Sequence, residues 1–228
     1  MRPTAEVRGS LPAIVRNDLG LYEGDLKHYF RAVFFGAKNL TNPYHNFRHL
    51  CHVLWLCHDA CLFYANELTK REMRELLIAA LFHDFDHTGK TGPDSANIEK
   101  ALKGLRRCVQ DKDLESLIRI GEIICATEYP YTVASENLDL SCQIIRDADL
   151  SQALSVAWIQ QVVFGLASEW GRQPMDVLKT QDAFHGSLRL RTEWASTKFP
   201  QSVINEKLAE ARELRDLLEA EPEPAEVS

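Results

Sequence analysis

The sequence predicts an all-α protein built as a single compact helical bundle, and three observations carry that expectation. Apolar residues recur at helical spacing along most of the chain. No segment shows the strict apolar–polar alternation of a half-buried strand. No repeat or low-complexity linker divides the 228 residues, a length suited to one sizeable core.

The elements follow from local signals. Residues 1–22 read as an N-terminal arm, loosest over 1–12, and residues 23–218 as the domain. GDLKHYFRAVFFGA at 23–36 is an amphipathic helix with Asp25 near its start. Thr41-Asn42-Pro43 is a helix-start signal, because the residue before proline is pushed away from helical angles. The segment 44–66 then runs long and apolar without Gly or Pro. In KREMRELLIAALFHD at 70–84, Met73, Leu76, Leu77, Ala80 and Leu81 share one face. Glycines and Pro93 break the chain at 88–93, and Asp94 or Ser95 can cap a helix over 95–108. A helix over 111–127 ends at the Tyr129-Pro130-Tyr131 turn. Helices over 138–169, 174–191 and 202–220 complete the set. The last ten residues, EAEPEPAEVS at 219–228, are acidic and proline-rich and predict a disordered tail.

Composition narrows the function. Hydrophobic residues make up 45% and charged residues 26%, values of an ordinary globular protein. The formal charge of -7 repels phosphate backbones, so long nucleic acids are not expected partners. An anionic small molecule would need a local positive source, which a bound metal provides. No window approaches the roughly 20 apolar residues of a membrane span. The six cysteines form no C-x-x-C pair and no secretory signal precedes them, which predicts free thiols and a cytoplasmic location.

The ionisable residues are the most informative feature. Five of the eight histidines fall in two short stretches. In YHNFRHLCH at 44–52, His45 and His49 are one helical turn apart, with His52 near the same stripe. In ALFHDFDHTG at 80–89, His83, Asp84, Asp86 and His87 crowd into one turn at the end of the apolar run LLIAALF. Ionisable groups there are costly unless they are paired or bind a metal. A third element, CQIIRDADLSQAL at 142–154, offers Asp149 to close a mixed nitrogen–oxygen site. Asp147, beside Arg146, reads as a surface or supporting residue.

His49, His83-Asp84 and Asp149 resemble, in order and helical context, the ligand set of the HD-domain metal-dependent phosphohydrolases. The class I 3',5'-cyclic nucleotide phosphodiesterase catalytic domain is the nearest branch. Tyr44-His45-Asn46-x-x-His49 is similar to its Y-H-N-x-x-H, and His83-Asp84-Phe85-Asp86-His87 to its H-D-x-D-H. Ala126-Thr127-Glu128 resembles A-T-D, and Ala148-Asp149-Leu150-Ser151 resembles A-D-L-S. Gln181-Asp182-Ala183-Phe184, followed by Trp194, resembles Q-x-G-F. The resemblance spans roughly residues 40–200. The chain departs from the family pattern at Thr88, His52 and Gln152, where Pro, Asp and Asn are usual, and in its shorter Asp84–Asp149 interval.

The resemblance implies a bundle of the HD-domain/phosphodiesterase type and two divalent metal ions. His49, His83, Asp84 and Asp149 would hold the tighter ion (Zn, Fe or Mn), and Asp84 would bridge to a second (Mg or Mn). A hydroxide shared by the metals would attack phosphorus, most simply in a 3',5'-cyclic nucleotide. His45 would be the general acid, with Glu128 or Glu99 as its carboxylate partner, and Asp86 and His87 would orient ligands. Tyr44 and Asn46 would line the pocket, Phe184 would stack on a base and Gln181 would bond its edge. The partner is thus a small phosphoester, with homodimerisation left open. Two alternatives stand beside this. One is a nucleotidase-type phosphomonoesterase, with Lys100, Lys103, Arg106 and Arg107 as its positive group; the other is a metal-stabilised binding module without catalysis.

Overall fold

The computed structural model describes residues 11–220, and all regular elements among them are helical. They are α1 (Ala13–Arg16), α2 (Lys27–Gly36), α3 (Phe47–Phe63), α4 (Lys70–Phe82), α5 (Ser95–Cys108), α6 (Leu117–Cys125), α7 (Leu140–Leu150), α8 (Gly165–Trp170), α9 (Pro174–Ser187), α10 (Glu193–Lys198) and α11 (Gln201–Glu219). Short 3-10 turns at Asp111–Ser116, Ser135–Asn137 and Ser151–Leu154 and a π-helical turn at Ile159–Phe164 connect them.

Helix α4 is the axis of the fold. Thr69 starts it with a capping box: the Thr69 hydroxyl accepts from Glu72 N–H at 3.2 Å and the Glu72 carboxylate accepts from Thr69 N–H at 2.8 Å. The periodicity predicts one apolar face, yet every residue from Met73 to Phe82 is buried. Helix α4 packs on α2, α3, α5, α6 and α7, so beyond its first turn no side of it meets water. The main core gathers around it, while α9, α11 and the π-helical turn enclose a smaller one centred on Trp158. The catalytically suggestive residues lie where these two cores meet.

Several boundaries differ from expectation for tertiary reasons. The arm expected over 1–22 is too long: Ile14, Val15 and Tyr22 belong to the main core, and only residues 1–10 lie outside the described part. The expected 111–127 helix opens with a 3-10 turn, and α10 is an element the periodicity did not predict. The expected helix over 138–169 is broken at Ser155, whose backbone is extended; α7 with its following turn and the Ile159–Trp170 segment meet at 99°. Trp158, buried beyond the break, donates its Nε1–H to Glu210 of α11 at 2.9 Å, an anchor that a single straight helix could not reach. Asp147 is no surface residue: it is 2% exposed and accepts from the Arg191 and Thr192 backbone N–H groups and the Thr192 hydroxyl. The predicted tail begins at Glu219, the end of α11, and residues 221–228 lie outside the description.

No single helix among the described residues is long and apolar enough to cross a membrane. All six cysteines are unpaired.

One charge pair ties the N-terminal segment to α4. The Arg74 guanidinium donates to both Asp113 oxygens at 2.7 and 2.8 Å, and to the Glu23 and Asp25 carbonyls at 2.8 Å each. Tyr29 adds a third hydrogen bond to Asp113 at 2.6 Å. Burial alone would raise the Asp113 carboxyl, but the bonds from Arg74 and Tyr29 outweigh it and hold the group below its ordinary range. A carboxyl depressed in the folded state adds stability above its unfolded pKa and loses it as pH falls through the folded value. Asp113→Ala leaves Arg74 buried without its partner and is expected to cost about 3–5 kcal/mol at neutral pH, measured by urea denaturation. The gap between wild type and variant should narrow as the pH is lowered through the acid range.

Candidate metal centre and its pocket

Two helix termini deliver the first imidazoles. Asn46 caps α3, its side-chain oxygen accepting from the N–H groups of Arg48 at 2.9 Å and His49 at 3.2 Å. This fixes the first turn and aims His49, 1% exposed, into the interior. His83 closes α4 at its C-terminus, and its Nδ1–H donates to Ala80 O at 2.9 Å, leaving Nε2 directed inward. Asp84 follows directly, and Asp149 arrives from the last turn of α7.

Their ligand atoms converge. His49 Nε2 lies 3.3 Å from His83 Nε2, 3.2 Å from Asp84 Oδ2 and 3.0 Å from Asp149 Oδ1. His83 Nε2 is 3.3 Å from Asp84 Oδ2 and 3.9 Å from Asp149 Oδ1. Donor atoms around one divalent ion at about 2.0–2.2 Å are separated by roughly 3.0–3.5 Å, so these four could hold a metal. The buried Asp84 Oδ2 has no hydrogen-bond donor, which a cation would supply. Without one, burial opposes charge on His49, yet its contacts with Asp149 and Asp84 raise its pKa well above the ordinary value. Burial likewise opposes charge on Asp84, but the imidazoles of His83, His45 and His49 outweigh it and depress its pKa. The cluster thus favours positive charge at its centre.

A hydrogen-bonded scaffold holds the ligands from behind. His49 Nδ1–H donates to Gln152 Oε1, and Gln152 Nε2 donates in turn to Gln161 at 2.7 Å. This sets the tautomer that presents Nε2 to the centre. Asn39, 2% exposed, donates to the carbonyls of His45 and Asp84 at 2.8 Å each and accepts from Asp86 N–H at 3.0 Å, pinning both ligand-bearing turns together. The resemblance marked Gln152 only as a departure and passed over Asn39. Their signal is weak in sequence, since an isolated amide beside a helix end is common.

Beside the four ligands lies a second group. His45 Nδ1–H donates to Glu169 Oε2 at 2.8 Å, and His45 N–H donates to Glu169 Oε1 at 3.3 Å. The Glu169 side chain is 2% exposed. The His87 ring stacks on His45 at 3.6 Å, and burial pushes the His87 pKa down to about 4, keeping it neutral. Gly89, at φ +66°, lies against Glu169 where a Cβ would collide with the carboxylate. The partner of His45 is therefore Glu169, not Glu99 or Glu128. Glu99 is exposed and pairs with Lys103 at 2.7 Å, and Glu128 stands between two pocket-lining residues, Thr127 and Tyr129, without lining the pocket itself.

Other expected positions also separate. Asp86, at φ +61°, accepts from Lys38 N–H at 2.8 Å and lies 3.8 Å from Arg107, so it fastens the loop before α3 and does not orient a ligand. Tyr44 packs its ring 4.7 Å from His45 and 5.1 Å from His49, and with the capping Asn46 it lines a separate cavity next to Gln152. Gln181 and Phe184 do not line the metal pocket. Gln181 is 4% exposed within α9, and Phe184 packs between the two smaller core clusters. His52, one turn beyond His49, keeps a buried Nε2 without a partner, and burial pushes its pKa down to about 4.

Comparison with known proteins agrees with this arrangement. Residues 44–107 match the model of the 3'5'-cyclic nucleotide phosphodiesterase family, a stretch holding His45, His49, His83 and Asp84. The likeness is to a phosphodiesterase catalytic domain. The crystal structure of the phosphodiesterase domain of Salpingoeca rosetta rhodopsin phosphodiesterase superposes with a TM-score of 0.61 at 17% identity, over 90% of this chain and 86% of that one. A second structure, the phosphodiesterase domain of the RhoPDE fusion protein from the same choanoflagellate, gives 0.59 at 17% identity, over 90% and 87%. At that identity the agreement is one of fold. Asp149 and Glu169 lie beyond the matched segment, and this chain's own fold brings them to the same centre. No curated protein matches the sequence.

Because Gln152 sets the His49 tautomer, Gln152→Ala is expected to weaken metal binding about 10–100-fold, read by competition with a fluorescent chelator. Unchanged affinity would show that the amide has no part in holding the ligand.

Proposed function

We propose that this protein is a metal-dependent phosphohydrolase that cleaves a phosphodiester, with a 3',5'-cyclic nucleotide as the substrate class. The observation that carries this is the juxtaposition of two groups: four ligand atoms within 3.0–3.9 Å of one another, and a His45–Glu169 pair set beside them. The family match over residues 44–107 supports the same reaction class.

A divalent metal held by His49, His83, Asp84 and Asp149 would supply Lewis acidity toward water and the phosphoryl oxygens. The protein's own groups do the rest. His45, with Nδ1–H committed to Glu169, presents Nε2 to the pocket and would hand a proton to the departing alkoxide. Glu169 fixes the plane of the His45 ring. His87, neutral and stacked on His45, presses that ring toward the pocket without competing as a cation. Both histidines, Asp84 and Asp149 line one cavity of about 380 Å³, which suits a single small ligand.

Two variants test these roles separately. Asp84→Ala should abolish bound metal and phosphodiesterase activity together, with metal content read by mass spectrometry and activity with added Mn²⁺. His45→Ala should retain the metal and lose about 10²–10⁴ in kcat on a cyclic nucleotide, whose alkoxide needs a proton. Its loss on bis(4-nitrophenyl) phosphate should be much smaller, because nitrophenolate leaves unaided. Equal losses on both substrates would remove His45 from the proton-transfer role.

A further inference from the structure

The segment between α6 and α7 forms one wall of the cavity that holds the metal cluster, through Thr127 and Tyr129. Tyr129 is 62% exposed there, yet the chain around it is fixed at several points. Its backbone N–H donates to the carboxylate of Asp94, the residue that precedes α5, at 2.9 Å. Its ring meets that of Tyr131 at 5.5 Å between centres and 82° between planes. The Arg146 guanidinium in turn lies 4.0 Å from the Tyr131 ring centre, a cation–π contact. Arg146 is 4% exposed, and its hydrogen bonds go to the same segment: Nε donates to Ala126 O, and Nη1 donates to Val133 O at 2.7 Å and to Ser135 Oγ at 3.4 Å. Burying a guanidinium is costly. Here its contacts hold the cavity wall against α7, the helix that also bears Asp149. The wall and a metal ligand thus share one support.

We propose that Tyr129 is the residue that stacks on the nucleobase of the substrate while the phosphoryl group sits at the metal cluster. This rests on the reading of the centre as a nucleotide phosphoester site and names its base-binding residue. Gln181 and Phe184, the residues expected to grip a base, do not line this cavity. Among the described residues, the aromatic side chains other than histidine that line it are Trp170 and Tyr129. Trp170 already has the Arg172 guanidinium 5.6 Å from its ring centre and packs against the smaller core. Tyr129 meets Tyr131 nearly at right angles, a contact that occupies one face of its ring at most, and its exposure leaves the other face open. Every nucleobase offers a flat face to such a ring. A ring whose backbone and neighbour are already fixed loses little freedom when a base stacks on it. Asp84, Asp149 and Tyr129 line one cavity of about 380 Å³, so a single nucleotide can reach both the metal cluster and the ring.

The experiment is calorimetric titration of the Mn²⁺-loaded full chain with AMP and with ribose 5-phosphate, which lacks the base. The wild type should bind AMP about tenfold more tightly, the scale of one base–aromatic stack. Tyr129→Phe keeps the ring and should keep that preference. Tyr129→Ala and Tyr129→Leu should each reduce it to within about threefold, with the affinity for ribose 5-phosphate unchanged. Leucine preserves apolar bulk against Tyr131 but offers no flat face, so its loss marks stacking and not packing. Equal binding of the two ligands to the wild type, or a preference for AMP that survives in either the alanine or the leucine variant, overturns the Tyr129 assignment and leaves the phosphoester reading standing. If neither ligand binds, both fall together.

Discussion

The fold is organised around the cost of burying two imidazoles against two half-buried carboxylates within one ligand-sized space. His49 and His83 are each 1% exposed, with their Nε2 atoms 3.3 Å apart. Neither can satisfy the other without a proton, and the adjoining Asp84 oxygen has no donor at all. A divalent cation resolves all of these demands at once, whereas hydrogen bonds among the four groups resolve only some of them. This makes the centre a structural constraint as well as a chemical one.

The surrounding architecture exists to hold that cluster. The fully buried α4 brings His83 and Asp84 to its C-terminal end, and the Asn46 cap starts α3 so that His49 lies in its first turn. Asn39 ties the two turns together through three hydrogen bonds, and Gln152 extends the support to α7 and the π-helical turn. The break at Ser155 belongs to the same design. It turns the chain after Asp149 so that Glu169 can return to His45, 124 residues away in sequence. Mobility in this turn would loosen both ligand and proton donor together.

The clustering of His49, His83, Asp84 and Asp149 was legible because ionisable residues at helical spacing interrupt apolar runs, a pattern with few other physical explanations. His45 was legible through its place one turn before His49. Glu169 was not: it is a single acidic residue on a six-residue helix, and only the bend before it carries it to the site. That bend has no Gly or Pro to announce it, and the residue that anchors the chain just beyond it, Trp158, does so on α11 through a long-range contact. The burial of Ile14, Val15 and Tyr22 was equally hidden, because a four-residue helix shows no periodicity. Gln181 and Phe184 matched a motif by order alone, and order does not specify which way a helix faces. Helix α9 instead packs against α11 and turns Gln181 into its own interior.

Among the described residues, two groups of side chains could hold a cation: His49, His83 and Asp149, with Asp84 beside them, and His45, His87 and Glu169. The account assigns the ion to the first and proton transfer to the second. A crystal of the metal-loaded protein, measured at the absorption edge of its bound metal, separates them most directly. The account predicts a dominant anomalous peak about 2.0–2.3 Å from His49 Nε2, His83 Nε2 and the oxygens of Asp84 and Asp149. A dominant peak bound by His45, His87 and Glu169, with the first group empty, would contradict it.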